Sequence, residues 1–152
     1  MNLIRNPKIN AAIVLVITMF YSLVFILTSG HLEFERILCH ANTLNSSLWN
    51  FWSEFLIRGH LKYIGYVFIA LALAIVILSL IRIKGYDEYQ TSILQKGLVS
   101  AGVILLCLFP LTLLLILSEP NYAIEAITML VVVHWSAVLI AELVYTLRWS
   151  KT

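Results

Sequence analysis

Four stretches of 19 to 22 residues, Ile9–Thr28, Tyr63–Ile81, Gly97–Ser118 and Ala126–Leu147, are apolar almost throughout, and the one charged side chain among them is Glu142. An α-helix rises about 1.5 Å per residue, so about 20 such residues cross the roughly 30 Å of hydrocarbon in a bilayer. Backbone N–H and C=O groups have no water to bond there, which makes helices the structure such stretches must adopt. The fold class that follows is all-α: a polytopic membrane protein built as an antiparallel bundle of four transmembrane helices. Composition agrees, with 61% of residues hydrophobic, 12% charged and a mean hydropathy of +0.95. The longest stretch outside the spans, residues 29–62, is too short to enclose a core of its own. A single membrane domain therefore accounts for residues 1–152. Arg5 and Lys8 before an apolar run also suit a signal peptide, but that run is longer than a signal core and Phe25-Ile26-Leu27-Thr28-Ser29-Gly30 has no A-x-A-like site. The first run is expected to stay as a span.

Lys and Arg set the expected orientation, because loops rich in them remain in the cytoplasm during insertion. Arg5, Lys8, Arg82, Lys84, Lys96, Arg148 and Lys151 fall on one side, against Arg36, Arg58 and Lys62 on the other, where Glu33, Glu35 and Glu54 accompany them. Both termini and the inner loop, residues 82–96, are expected in the cytoplasm, in a cell membrane. No basic tract is dense enough to point to nucleic acid.

The outer loop, residues 29–62, has helical periodicity of its own. Leu48, Trp49, Trp52, Phe55 and Leu56 recur along one face, Asn50, Glu54 and Arg58 along the other, with Ser46 or Ser47 as N-cap and Gly59 as a stop. This spacing predicts an interfacial amphipathic helix over Leu48–Arg58, lying flat with its tryptophans at headgroup depth. It is an anchor over the bundle's outer end, or else a lid or docking surface presenting Trp49, Trp52 and Phe55. Upstream, residues 31–40 read as a shorter helix. His31, Glu33, Glu35, Cys39 and His40 include metal-ligand types, but adjacent Cys39 and His40 cannot point at one ion from a helix, and no paired ligand spacing is present. No metal or cofactor is expected. Asn45-Ser46-Ser47 matches a glycosylation acceptor, of consequence only on a eukaryotic secretory route.

On the inner side Gly85-Tyr86 breaks the chain, Asp87 can cap, and Gln90 follows three residues later, the arrangement of a capping box. A helix starting there projects two turns, Glu88 to Lys96, beyond the membrane before becoming the third span. In this layout, and in the tetrapeptide Asp87-Glu88-Tyr89-Gln90, the chain resembles a loose group of small four-span bacterial membrane proteins with a cytoplasmic Asp-Glu-x-Gln or Asp-Glu-x-Arg segment. The resemblance implies a bacterial cytoplasmic membrane and brings no activity with it.

Spans associate through close contact of small residues, since lipid gives no hydrophobic incentive. Thr18 with Ser22, Ala70 with Ala74, Gly97 with Ala101, and His134 with Ala137 and Ala141 are the expected contact faces. Pro110 forfeits a backbone bond to Leu106 and should bend the third span, with Thr112 able to serve freed backbone groups. Cys107 reads as core filler.

The fourth span carries the candidate polar site. His134 lies about 12 Å from its outer end and Glu142 about 8 Å from its inner end, with Tyr145 a turn further on. An acid at such depth costs about 2.5–3.5 kcal/mol at the bilayer centre, so Glu142 must face the bundle, be paired or be neutral. Two readings follow. In the structural one His134 bonds a neighbouring helix and Glu142 reaches toward Lys84, Lys96 or Arg148; in the functional one both stand on a path for protons or a small cation, enclosed by a second copy of the chain. Catalysis finds less support. Ser136 and His134 lie on different helix faces, no second buried acid accompanies Glu142, and His60 and His134 differ too much in depth to share a haem. The residues favour a non-catalytic accessory or regulatory membrane protein whose partner, another membrane protein, docks on the outer-loop helix or on Asp87, Glu88 and Gln90. A homo-oligomeric transporter or channel for a small cation or hydrophobic solute is the alternative.

Overall fold

The computed structural model describes residues 6–38, 44–81 and 85–149. They form α1 (Pro7–Thr28), α2 (Leu32–Ile37), α3 (Ser47–Ile57), α4 (Leu61–Ile81), α5 (Glu88–Ser118), a short 3-10 turn (Pro120–Tyr122) and α6 (Ala123–Trp149). Helices α1, α4, α5 and α6 each have the length and apolarity to cross a membrane, so the protein is an all-α, multi-pass membrane protein. The chain weaves up, down, up and down. One end of the bundle, the termini end, gathers the start of α1 and the end of α6; the other, the loop end, carries α2 and α3.

Local signals in the sequence account for the helix ends. The Asn6 side chain accepts from the backbone N–H of Lys8 and Ile9, and Pro7 occupies the first turn, where its missing N–H costs nothing. Asp87 and Gln90 form the expected capping box, and α5 runs from Glu88 through Pro110 to Ser118. The Thr112 hydroxyl donates to the Leu108 carbonyl on the same helix, one turn back. The α3 helix closes with the N–H of Gly59 on Leu56 and that of His60 on Phe55, the paired bonds of a Schellman motif, with Gly59 at φ +67. A side chain there would also press on Gly30, since a Cβ would come within 3.3 Å of the Gly30 nitrogen. Ser46 does sit at the N-cap of α3, but its side chain makes no capping bond.

The bundle is uneven. The main packing pairs are α1 with α4 and α5 with α6, joined by α4 against α6. The α1–α4 seam follows small residues: Thr18 and Ser22 are fully buried, and a Cβ on Gly65 would come within 3.1 Å of the Ser22 carbonyl oxygen. On α4 the buried stripe is Gly65, Phe68, Ala72, Ile75 and Ser79. This corrects the expected Ala70–Ala74 contact: Ala70 is exposed and Ala74 half-buried, because the helix is rotated to set Gly65 against the α1 backbone. The Gly97–Ala101 and Ala137–Ala141 expectations hold at the α5–α6 seam, where a Cβ on Gly97 would meet the Ala141 methyl at 3.4 Å. Cys107 is exposed on α5 and fills no core, because α5 packs on one side only. Among its 31 residues, only Gln90, Leu94 and Ala101 are buried.

Replacing Gly65 with leucine should force α1 from α4 and lower detergent-solubilised stability by about 1–3 kcal/mol, the usual cost of overpacking. At Gly102 nothing lies within 4 Å of an added Cβ, so Gly102→Leu serves as the matched control. Equal melting temperatures for the two variants would contradict the α1–α4 contact.

Candidate functional site

Buried polar side chains occur at three levels of the bundle. At the termini end the Glu142 carboxylate accepts from the Asn10 amide nitrogen through both oxygens, at 3.1 and 2.9 Å. Both residues are buried, Glu142 to 1% exposure. The sequence suggested that Glu142 reaches toward the basic residues at this end; the structure instead gives it a donor on α1. Lys84 lies outside the described residues, while Lys96 and Arg148 are exposed. Asn10 sits only one turn into α1, at the depth where α6 brings Glu142 across, so the acid needs no route to the surface.

Halfway along, Trp135 donates its indole N–H to the Thr18 hydroxyl at 3.1 Å, and Thr18 donates in turn to the Val14 carbonyl. Tyr21 packs against the same indole, ring centroids 5.0 Å apart. One position earlier on α6, His134 turns the other way, its Nδ1 3.2 Å from the Ala101 carbonyl oxygen of α5. A carbonyl can only accept, so this contact selects the tautomer with the proton on Nδ1. His134, Glu142 and Tyr145 therefore do not converge. The first faces α5, the second faces α1, and Tyr145 is buried with its ring edge-to-face on Tyr86, 4.9 Å between centroids. The spacing of 134 and 142 permitted one broad face; the rotation of α6 divides it between two neighbours.

The third level, at the loop end, has an acid that lies just before the fourth apolar stretch. Glu125 lies in the first turn of α6 and is 0% exposed. The Ser53 hydroxyl donates to its Oε1 at 3.0 Å, and the Trp52 indole donates to its backbone carbonyl at 2.9 Å. The Thr128 hydroxyl also reaches that carbonyl. The signal for this site was Ser53, on the same α3 face as Trp49 and Trp52, which makes the helix face partly polar where it meets the bundle. A second buried acid thus exists, contrary to the sequence expectation. It stands 17 positions from Glu142 along α6, a rise of about 26 Å, so the two carboxylates form no joint site.

The outer-loop helix is consequently docked on α6. Trp52 is turned inward, correcting its expected place on a partner surface, because its N–H finds an acceptor at the helix start of α6. Phe55 stacks on Trp52 at 5.4 Å and is half-buried, while Trp49 lines a small cavity of about 180 Å³ with Leu108, Thr112 and Met129. Leu48 and Phe51 are the large apolar residues this helix leaves exposed. Phe55, His60, Tyr63 and Tyr66 continue as neighbouring rings, an aromatic girdle of the kind found at a membrane surface. At the termini end Gln90 is buried by its capping role and so leaves the expected docking face, whereas Asp87, Glu88 and Tyr89 are exposed. Among the described residues no three His, Cys, Asp or Glu side chains gather as metal ligands; Cys39 and His40 lie outside those residues.

The Asn10–Glu142 bond should show in a double-mutant cycle of Asn10→Ala and Glu142→Ala as a coupling of about 1–2 kcal/mol in detergent unfolding; strictly additive losses would contradict it. Glu125→Ala should release α3 and speed tryptic cleavage at exposed Arg58, whereas Glu54→Ala, which removes the ion pair of Glu54 with Arg58 at the surface, should leave α3 docked. Cleavage unchanged by Glu125→Ala would mean that the apolar face and the Trp52 bond to the backbone carbonyl at position 125 hold α3 without the carboxylate. No family model, curated protein or solved structure matches the chain.

Proposed function

We propose that this is a non-catalytic accessory or regulatory integral membrane protein that binds another membrane protein, with both termini in the cytoplasm of a bacterial cell. The observation that carries the reading is the cross-braced head at the termini end. Asp87 and Gln90 cap α5, Tyr86 packs on Tyr145, and Tyr89 meets Trp149 edge-on at 6.4 Å, tying the start of α5 to the end of α6. This head presents Asp87, Glu88 and Tyr89 to solvent on a capped helix start, an acidic and aromatic surface of the kind a protein partner can use. The buried polar groups support the same reading, since Asn10, Glu142, Thr18, Trp135, His134 and Glu125 are engaged in bonds between helices or along them.

Affinity purification in mild detergent should retrieve a partner in stoichiometric amount, and Glu88→Gln, which leaves the Tyr89–Trp149 contact in place, should weaken its retention with little change in melting temperature. A homomeric preparation from the native membrane would overturn the proposal. The second reading, a homo-oligomeric transporter or channel for a small cation, is favoured by one observation, the Glu142 carboxylate buried at membrane depth. On that reading Glu142→Gln abolishes flux in vesicles made with the purified protein; flux equal to that of the unaltered protein removes the acid from any path.

A further inference from the structure

The seam between α5 and α6 is open along one side. At the termini end it forms a cavity of about 520 Å³. Gly97, Ser100 and Ala101 on α5 and Ala137 and Ala141 on α6 make its floor and walls, small residues that leave room between two helices otherwise in contact. The Ser100 hydroxyl donates to the Lys96 carbonyl of its own helix, so it offers the groove no free polar group. Arg148 stands at the mouth. It lies over the Trp149 ring, 5.5 Å to the centroid, and pairs with no carboxylate among the described residues.

Length distinguishes between occupants. From Ala137 to Arg148 the groove follows α6 for about 16 Å, close to the thickness of one leaflet, half of a roughly 30 Å hydrocarbon core. Beyond Ala137 the seam narrows near the contact of His134 with Ala101, and the crevice past it is a separate, smaller space roofed by Trp49. A transmembrane helix of a partner would need a groove running the full depth of the bilayer. An acyl chain needs one leaflet, with its headgroup at the mouth, and a guanidinium there is the natural partner for a phosphate.

We infer that the α5–α6 groove is a binding site for one anionic glycerophospholipid, its acyl chain along Gly97, Ala101, Ala137 and Ala141 and its phosphate on Arg148. The groove adjoins the head proposed to bind a protein, with Tyr145 common to both, but its test requires no partner.

The full chain is reconstituted in nanodiscs of equal parts phosphatidylglycerol and phosphatidylcholine, extracted into mild detergent and washed, and the lipid retained per protomer is counted by native mass spectrometry. One phosphatidylglycerol should remain, in preference to phosphatidylcholine. Arg148→Gln should reduce that preference about fivefold, the effect of one basic group at an anionic membrane surface. Ser100→Phe, at an exposed position on the groove wall, should displace the lipid while leaving the melting temperature of the delipidated protein intact. Lys8→Gln, on the open surface of α1, should change nothing, which separates a built site from general attraction to basic residues. Equal retention of the two lipids, unaltered retention in Arg148→Gln and Ser100→Phe, or an equal loss in Lys8→Gln would each overturn the inference, as would a polypeptide occupying the groove in place of lipid.

Discussion

The bond between the Asn10 amide and the Glu142 carboxylate fixes which helices become neighbours at the termini end. Hydrocarbon provides no hydrophobic drive to bring spans together, and nearly all backbone groups inside a helix are already satisfied. What remains to choose a partner is side-chain shape and the few polar groups that cannot be left facing lipid. The α1 and α6 backbones pass with little close approach, so Asn10 with Glu142 and Thr18 with Trp135 bridge them by the reach of their side chains. With α4 fitted against α1 through Gly65, three helices are joined by one tight seam and two polar bridges.

A second acid performs the same service at the other end. Glu125 takes the Ser53 hydroxyl on its side chain and the Trp52 indole on its carbonyl, which docks on the bundle an amphipathic helix that looks destined for the lipid surface. The two carboxylates thus hold opposite ends of one helix, α6, to two different elements. Both accept from neutral donors, Glu142 from the Asn10 amide and Glu125 from the Ser53 hydroxyl.

The fourth long helix, α5, follows a different principle. It is tied to α6 at His134 and Ala101, at Gly97 and Ala141, and at the capped head of the termini end, and it leaves most of its surface uncovered. With so little of α5 buried against its own chain, the lipid and protein contacts proposed above would fall outside the core.

The number of spans, their approximate limits, the start of α5 at Asp87 and the stop at Gly59 were legible in the sequence, because each is dictated by local chemistry: hydropathy over a bilayer's width, a capping box, a residue that tolerates positive φ. Thr18 with Ser22 and Gly97 with Ala101 were legible for a related reason, since small residues a turn apart let two spans approach, although Ala70 with Ala74 shows that the pattern alone does not choose the face. Rotation was not. Whether α4 presents Ala70 or Ala72, whether Trp52 meets lipid or Glu125, and whether Glu142 finds a lysine or Asn10 all depend on how far each helix turns about its axis. Helices that are apolar on every side carry almost no record of that angle. It is set only when the spans meet and their scarce donors and acceptors must match, and that is why a span count could be read from the residues while the partners of Glu125, His134 and Glu142 could not.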